Sequence, residues 1–86
     1  MSWRLIWTEA ARRDLARLDR QGAERVIRTA MRVAESGHGD LKRLRPPMEG
    51  HRLRAGDWRL LVAIDEAEGT MQVIRVRHRR DAYERE

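Results

Sequence analysis

The spacing of the apolar residues differs between the two sides of the proline pair Pro46 and Pro47. After the prolines, residues 51–55, 58–65 and 70–77 follow the period of two that is typical of strands. Before them, apolar residues recur every three or four positions, as on the buried face of a helix: Ala23, Val26, Ile27, Ala30, Val33 and Ala34. A helical layer must therefore pack on a sheet, which predicts an α+β fold.

The N-terminal half predicts one short strand followed by two helices. Residues 3–7 alternate between apolar and other side chains, so that the odd-numbered face is expected to be buried. Thr8 is a suitable N-cap for the first helix, which we expect to end near Asp19. The second helix is expected to run from Gln21 until Gly37 stops it.

The C-terminal half predicts a loop and three further strands. Residues 37–50, which contain the prolines, read as a loop. The dipeptide Gly56-Asp57 is a two-residue hairpin connection in which the glycine can adopt a positive φ. A second turn leads into a strand over residues 70–77, and a short helix can follow from Arg80. The predicted order is β-α-α-β-β-β(-α), a mainly antiparallel sheet with two helices on one face.

Length and composition predict a single domain covering residues 1–86. A domain of this size buries only about 60–65% of its unfolded surface, so we expect marginal stability that a partner can raise. The chain has no cysteine, and its first residues are too charged for a signal peptide or a membrane span. We therefore expect a cytoplasmic protein that does not enter the membrane.

Positive charge is concentrated in the second half of the chain. Residues 42–80 carry ten Lys or Arg against five Asp or Glu, within a total net charge of +5. Such an excess suggests a polyanionic partner, nucleic acid or acidic protein. The preference for Arg over Lys fits bidentate phosphate contacts, and it fits an Arg-rich codon usage equally well.

The segments "RLRAGDWRLL" and "HRRDAY", together with the order of elements, resemble the RelE/ParE superfamily of type II toxin-antitoxin toxins over essentially the whole chain. The resemblance implies a small toxin held inactive by a cognate antitoxin, with DNA bound only indirectly through the antitoxin. In the RelE branch such a toxin cleaves mRNA on the ribosome, and in the ParE branch it poisons DNA gyrase. We favour the ribosome-dependent endoribonuclease. A ParE-type gyrase inhibitor and an inactive relative that only binds the antitoxin stay open as alternatives.

Metal-independent cleavage of RNA needs a base, positive charge at the phosphate and an acid. Arg52 and Arg54 are spaced to lie on one sheet face, whereas the position of Arg59 depends on the hairpin register. Nearby cations would favour the phenolate of Tyr83 as a base, and His78 can act as acid or base near neutral pH.

The resemblance matches Arg52, Arg54 and Arg59 to the basic hairpin positions of RelE-type ribonucleases, and Tyr83 to their terminal tyrosine. Either Arg79 or Arg80 corresponds to their C-terminal arginine. The best-known relatives have lysines in the hairpin, and because arginine does not release a proton, proton transfer falls on Tyr83 and His78.

We therefore expect a site without a metal or another cofactor, with two sets of residues. The expected catalytic residues are Arg59, His78, Arg79 and Tyr83. The expected RNA-binding residues are Arg52, Arg54, Arg80 and Trp58. Glu49 is an outside candidate for the base.

Each of these residues also has a structural explanation. The hairpin arginines Arg52 and Arg54 can form a solvated strand face or a docking surface for an acidic antitoxin segment. Arg59 can pair with a nearby aspartate, and Tyr83 can pack its ring against the sheet edge. Trp58 can belong to the core rather than stack on a base.

Overall fold

A computed structural model describes the backbone of residues 2–84 and the side chains of residues 2–81. Three helices and five strands follow one another along this part of the chain: β1 (Arg4–Trp7), α1 (Glu9–Ala16), α2 (Arg20–Ser36), β2 (Leu41–Arg43), β3 (His51–Ala55), β4 (Trp58–Asp65), β5 (Thr70–His78) and α3 (Arg79–Glu84). The predicted α+β class is confirmed.

The helix boundaries follow from their caps. The Thr8 side chain accepts a hydrogen bond from the Ala11 N–H, which confirms the predicted N-cap of α1. Gly37 ends α2 in the left-handed region with φ 76°, as predicted. The first helix ends at Ala16 rather than near Asp19, because Asp19 is extended and caps α2 by accepting from the Gly22 N–H.

The sheet has the strand order β1-β5-β4-β3-β2. β1 pairs with β5 in parallel, and the remaining neighbours are antiparallel. The predicted hairpin between β3 and β4 is confirmed, and Gly56 has the positive φ of 63° that its turn requires. The prediction that all of residues 37–50 form a loop was wrong. Residues 41–43 pair with 51–53 as β2, a strand too short to leave a periodic signal.

A β-bulge sets the phase of β5. Leu61 pairs with Arg75 but Val62 pairs with Val73, which leaves Ile74 as the extra residue. Val73 and Val76 are three residues apart, so regular alternation would put them on opposite faces. Both are nevertheless buried, at 0% and 4% exposure, because the extra residue shifts the alternation by one and puts both side chains on the same face.

The core lies between α1, α2 and one face of the sheet. Its members are buried alanines, valines, leucines and one methionine: Ala11, Val26, Ala30, Val33, Ala34, Leu53, Ala55, Leu60, Val62, Met71, Val73 and Val76. The predicted apolar stripe of α2 supplies the core, apart from Ala23, which is half-buried, and Ile27, which is 37% exposed. Since α1 and α2 pack on the same sheet face, neither of them covers the other face.

Candidate functional site

The sheet face that points away from α1 and α2 is basic. On β3 the buried residues Leu53 and Ala55 face the helices, so Arg52 and Arg54 alternate to the other side. The cross-strand register extends this set to every strand except β1. We call the basic sheet face the surface formed by Lys42, Arg52, Arg54, Arg59, Leu61, Arg75 and Arg77.

Three arginines cross this face in one line, which we call the arginine row. Arg54 lies opposite Arg59, and Arg59 lies opposite Arg77. Residues paired in this way have Cβ atoms about 4.5–5.5 Å apart, and like charges so placed destabilise a sheet. A bound anion would relieve that repulsion. The position of Arg59 depended on the hairpin register, and this register places Arg59 on the same sheet face as Arg52 and Arg54.

Arg59 is held at the centre of the row. It is 6% exposed, and its Nη1 donates to the carbonyl oxygens of Gly56, at 2.9 Å, and Trp58, at 3.0 Å. These carbonyls belong to the β3–β4 turn and to β4 itself. The guanidinium is thus oriented before any ligand arrives, which is the arrangement that stabilises developing charge most effectively.

Arg77 is a functional candidate that the sequence analysis did not assign. Alternation along β5 puts it on the same face as Arg75, and the pairing of β4 with β5 brings it beside Arg59. Among residues 2–81, neither Arg54 nor Arg77 forms an ion pair. Both charges are therefore available to a phosphate.

Arg75 is compensated by Asp14 of α1. Its Nε donates to Asp14 Oδ2 at 2.8 Å and its Nη2 to Oδ1 at 3.1 Å. The Val76 N–H donates to the same carboxylate at 2.9 Å. Burial of Asp14 opposes its ionisation, but the hydrogen bonds from Arg75 and Val76, with the charges of Arg75 and Arg77, hold the pKa of Asp14 below its ordinary value.

This contact has a structural origin in the short β1. Because β1 ends at Trp7, β5 has no strand neighbour on that side beyond Val73. The start of α1 takes its place: the Thr8 N–H donates to the Val73 carbonyl at 3.0 Å, and the Thr8 hydroxyl donates to the Ile74 carbonyl at 2.8 Å. Asp14 then accepts from Val76, so α1 satisfies the free edge of β5.

His78 and Trp58 lie on the helix side of the sheet, away from the arginine row. They pair across β4 and β5, and their rings meet edge to face with centroids 5.2 Å apart. His78 Nδ1 also accepts from the Arg80 N–H at 3.3 Å, at the start of α3. The structure therefore does not bring His78, the expected acid or base, or Trp58, the expected stacking residue, to the hairpin arginines.

The remaining expected site residues belong to α3. Arg79 begins the helix, where its N–H donates to the Asp57 carbonyl at 2.7 Å and its Nε lies 4.0 Å from Asp57 Oδ1. Arg80 is exposed. Tyr83 follows Arg79 by four residues in α3, and its side chain lies outside the described residues. The outside candidate Glu49 is exposed in the loop between β2 and β3.

The described part of the chain has neither a metal-ligand cluster nor a membrane-spanning helix. There, no three His, Cys, Asp or Glu side chains converge in a way that could hold a metal ion. No helix among the described residues is both long and apolar enough to span a bilayer.

Comparisons with known proteins agree with this architecture. The family model of the ParE toxin of type II toxin-antitoxin systems matches residues 5–83. A comparison with curated proteins finds no match. A chain of the toxin-antitoxin complex RelBE2 from Mycobacterium tuberculosis superposes with a TM-score of 0.82 at 30% sequence identity, covering 91% of this chain and 92% of that chain.

Two more distant structures share the fold. A chain of the RelB-RelE complex from Methanococcus jannaschii has a TM-score of 0.72 at 18% identity, covering 91% of this chain and 94% of that one. A chain of the intact Escherichia coli RelBE complex has a TM-score of 0.71 at 22% identity, covering 87% and 94%. From the family match over residues 5–83, the chain belongs to the ParE toxin family of type II toxin-antitoxin systems, within the RelE/ParE superfamily.

Proposed function

We propose that this toxin is a metal-independent mRNA endoribonuclease that acts on the ribosome and so inhibits translation in the cytoplasm. The observation that carries the proposal is the arginine row. Three guanidinium groups in register form a site of high positive charge, and one of them is fixed by backbone carbonyls. A phosphodiester that gains negative charge in its transition state is the ligand that such a site favours most.

The chemistry can proceed with groups from the protein and from the RNA. The 2′-oxygen of the RNA attacks the adjacent phosphorus, the bond from phosphorus to the 5′-oxygen breaks, and the products are a 2′,3′-cyclic phosphate and a 5′-hydroxyl. In this scheme Arg54, Arg59 and Arg77 bind the phosphate and stabilise the charge of the transition state. Arginine remains protonated, so a different group must accept the proton of the 2′-hydroxyl.

Tyr83 is the proposed base. It is matched to the terminal tyrosine of RelE-type ribonucleases, and it lies in α3 directly after the strand that carries Arg77. The cations of the arginine row would favour its phenolate. The departing 5′-oxygen takes its proton from solvent. Arg79 and Arg80 at the start of α3 add positive charge near the RNA, and Arg52 binds the strand beside the row.

A cognate antitoxin is the proposed regulatory partner. The chains that this toxin resembles come from toxin-antitoxin complexes. An acidic or amphipathic segment laid over the basic sheet face would neutralise the arginine row, and it would stabilise a small domain by binding only the folded state. DNA binding by the pair would come mainly from the antitoxin.

The test is primer extension on a defined message in a reconstituted translation system. We expect the wild type to cut within the A-site codon. Arg54→Ala, Arg77→Ala and Tyr83→Phe should each lower the cleavage rate by about 10²–10³-fold, the usual effect of removing one group that stabilises the transition state. Arg28→Ala is the matched control, because Arg28 is an exposed arginine on α2, and it should cleave normally.

Two results would contradict the proposal. One is the absence of scission by the wild type on programmed ribosomes. The other is an equal rate in the three site variants and the Arg28→Ala control, which would leave the arginine row without a catalytic role.

The second candidate function is inhibition of DNA gyrase, as in the ParE branch. It is favoured by the family match itself, which is to the ParE toxin. In that case the arginine row would bind a protein surface or DNA, and no base would be needed. Gyrase cleavage complexes formed with purified toxin, without scission of mRNA, would establish this function, and a failure to bind gyrase would remove it.

A further inference from the structure

A pocket adjoins the basic sheet face at its β2 edge. It has a volume of about 530 Å³ and is lined by residues 42–48, that is, most of β2 and the loop after it, and by Arg52 of β3. We call it the proline-loop pocket, because Pro46 and Pro47 form part of its wall. The basic sheet face includes Lys42 and Arg52 but none of the other lining residues.

The lining of the proline-loop pocket combines two chemistries. Lys42, Arg43, Arg45 and Arg52 are cationic, and no acidic side chain lines the pocket. The rest of the wall is apolar, and it includes Met48, whose side chain is 43% exposed in a loop. A ligand that fits both properties has a flat, weakly polar body joined to an anionic group, as a nucleobase is joined to its phosphates.

The position of the pocket connects it to the arginine row. Arg52 pairs with Lys42 across β2 and β3, and it precedes Arg54 by two residues on the same face. Two residues of strand span roughly 7 Å. That distance is comparable with the separation of successive phosphates in an extended RNA strand, so a strand anchored at the row can reach the pocket with its next nucleotide.

We propose that the proline-loop pocket binds the nucleotide adjacent to the scissile linkage, with its base against Met48 and the apolar wall and its phosphate against Arg43 and Arg52. The inference rests on the proposed ribonuclease function and adds a second subsite to it. Contact between a base and a side chain of this kind is tolerant of sequence, because every base has an apolar face. The pocket would therefore set how firmly the strand is held in position rather than which base is read.

The experiment measures single-turnover cleavage of short synthetic messages on programmed ribosomes. Each message carries either a normal nucleotide or an abasic residue at one of the two positions that flank the scissile linkage. The proteins are wild type, Met48→Ala, and Met31→Ala as the matched control. Met31 is also an exposed methionine, at 56%, but it lies on α2 and far from the arginine row in the fold.

We expect an abasic residue at one flanking position to slow the wild type and Met31→Ala by about tenfold, because the base no longer buries its face against an apolar side chain. Met48→Ala should cleave the intact message about tenfold more slowly, and the abasic residue should then have little further effect. Arg43→Ala should also slow cleavage, with the abasic effect retained.

Other outcomes overturn the inference in distinguishable ways. If the wild type cleaves but Met48→Ala matches Met31→Ala on every message, the subsite is absent while the ribonuclease function stands. The same conclusion follows if Met48→Ala weakens only the binding of the antitoxin, since the pocket would then hold a peptide. If the wild type does not cleave any message, both the subsite and the proposed function fail.

Discussion

Replacing Asp14 by alanine should lower the stability of the fold by about 2–4 kcal/mol. The buried Val76 N–H would lose the Asp14 carboxylate that accepts its hydrogen bond, and an unsatisfied buried donor costs about 1–3 kcal/mol. Loss of the ion pair between Asp14 and Arg75 lowers the stability by about 1 kcal/mol more. That share is discounted because the Arg75 side chain is 37% exposed and water can solvate it again.

The measurement is urea denaturation of the purified toxin, with thermal melting as a second reading. In a domain of this size 1 kcal/mol corresponds to roughly 4–8 °C, so Asp14→Ala should lower the Tm by on the order of 10–20 °C. Asp14→Asn keeps an oxygen for the Val76 N–H and loses the charge, so its effect should be about half as large.

Glu9→Ala is the control on the same helix. Glu9 pairs with Arg13 at 2.7 Å, but both side chains are mostly exposed, so the change should be within about 0.5 kcal/mol. If Asp14→Ala lost no more stability than Glu9→Ala, the reasoning that α1 completes the edge of β5 would be refuted.

The stabilisation by Asp14 should also depend on pH. Because the pKa of Asp14 is lower in the folded chain than in the unfolded one, its contribution is fully present above the unfolded value of about 3.9. It is lost as the pH falls through the folded pKa. Wild type and Asp14→Asn should therefore converge in stability in strong acid, and a constant difference down to pH 2 would contradict the assignment.

Three further changes test individual features. Gly56→Ala should lower stability by about 1 kcal/mol or more in urea denaturation, since alanine disfavours a φ of 63° and its Cβ would approach Arg25 Nε to 2.6 Å; an unchanged midpoint would argue against the turn geometry. Thr8→Ala should remove about 1 kcal/mol by deleting the cap of α1, whereas a neutral result in thermal melting would mean that the cap is dispensable. Arg54→Ala should raise stability by a few tenths of a kcal/mol while cleavage falls, because it relieves repulsion from Arg59; a loss of stability would show that the row is not repulsive.

Local signals were sufficient to predict most of the fold. The Gly56-Asp57 turn, the Thr8 cap and the Gly37 stop each depend on the conformation of a few neighbouring residues, and each was predicted correctly. β2 was missed because its formation depends on pairing with β3, not on its own three residues. The first helix was predicted to end too late because Asp19 caps the helix that follows it.

The candidate site was less predictable, since it is assembled across strands. Alternation placed Arg52 and Arg54 on one face, but nothing local in the sequence fixes which residue of β5 lies beside Arg59. His78 was predicted as an acid or base from its chemistry. The structure places His78 on the helix side of the sheet and Arg77 in the arginine row. The neighbouring pair of apolar residues Val73 and Ile74, which interrupts the alternation, was the one available signal of the bulge that sets this phase.

Because of the bulge at Ile74, the number of residues in β5 determines which of its side chains face the core, as much as their identity does. Deleting this one residue would leave every charge and every apolar side chain in the sequence except one isoleucine. Val73 and Val76 would then stand two residues apart, so regular alternation would keep both in the core and would keep Arg75 and Arg77 on the other face. Deletion of Ile74 should therefore be tolerated, whereas deletion of Gln72 would make Met71 and Val73 adjacent and turn one of them out of the core. Urea denaturation of the two deletion variants would show this difference.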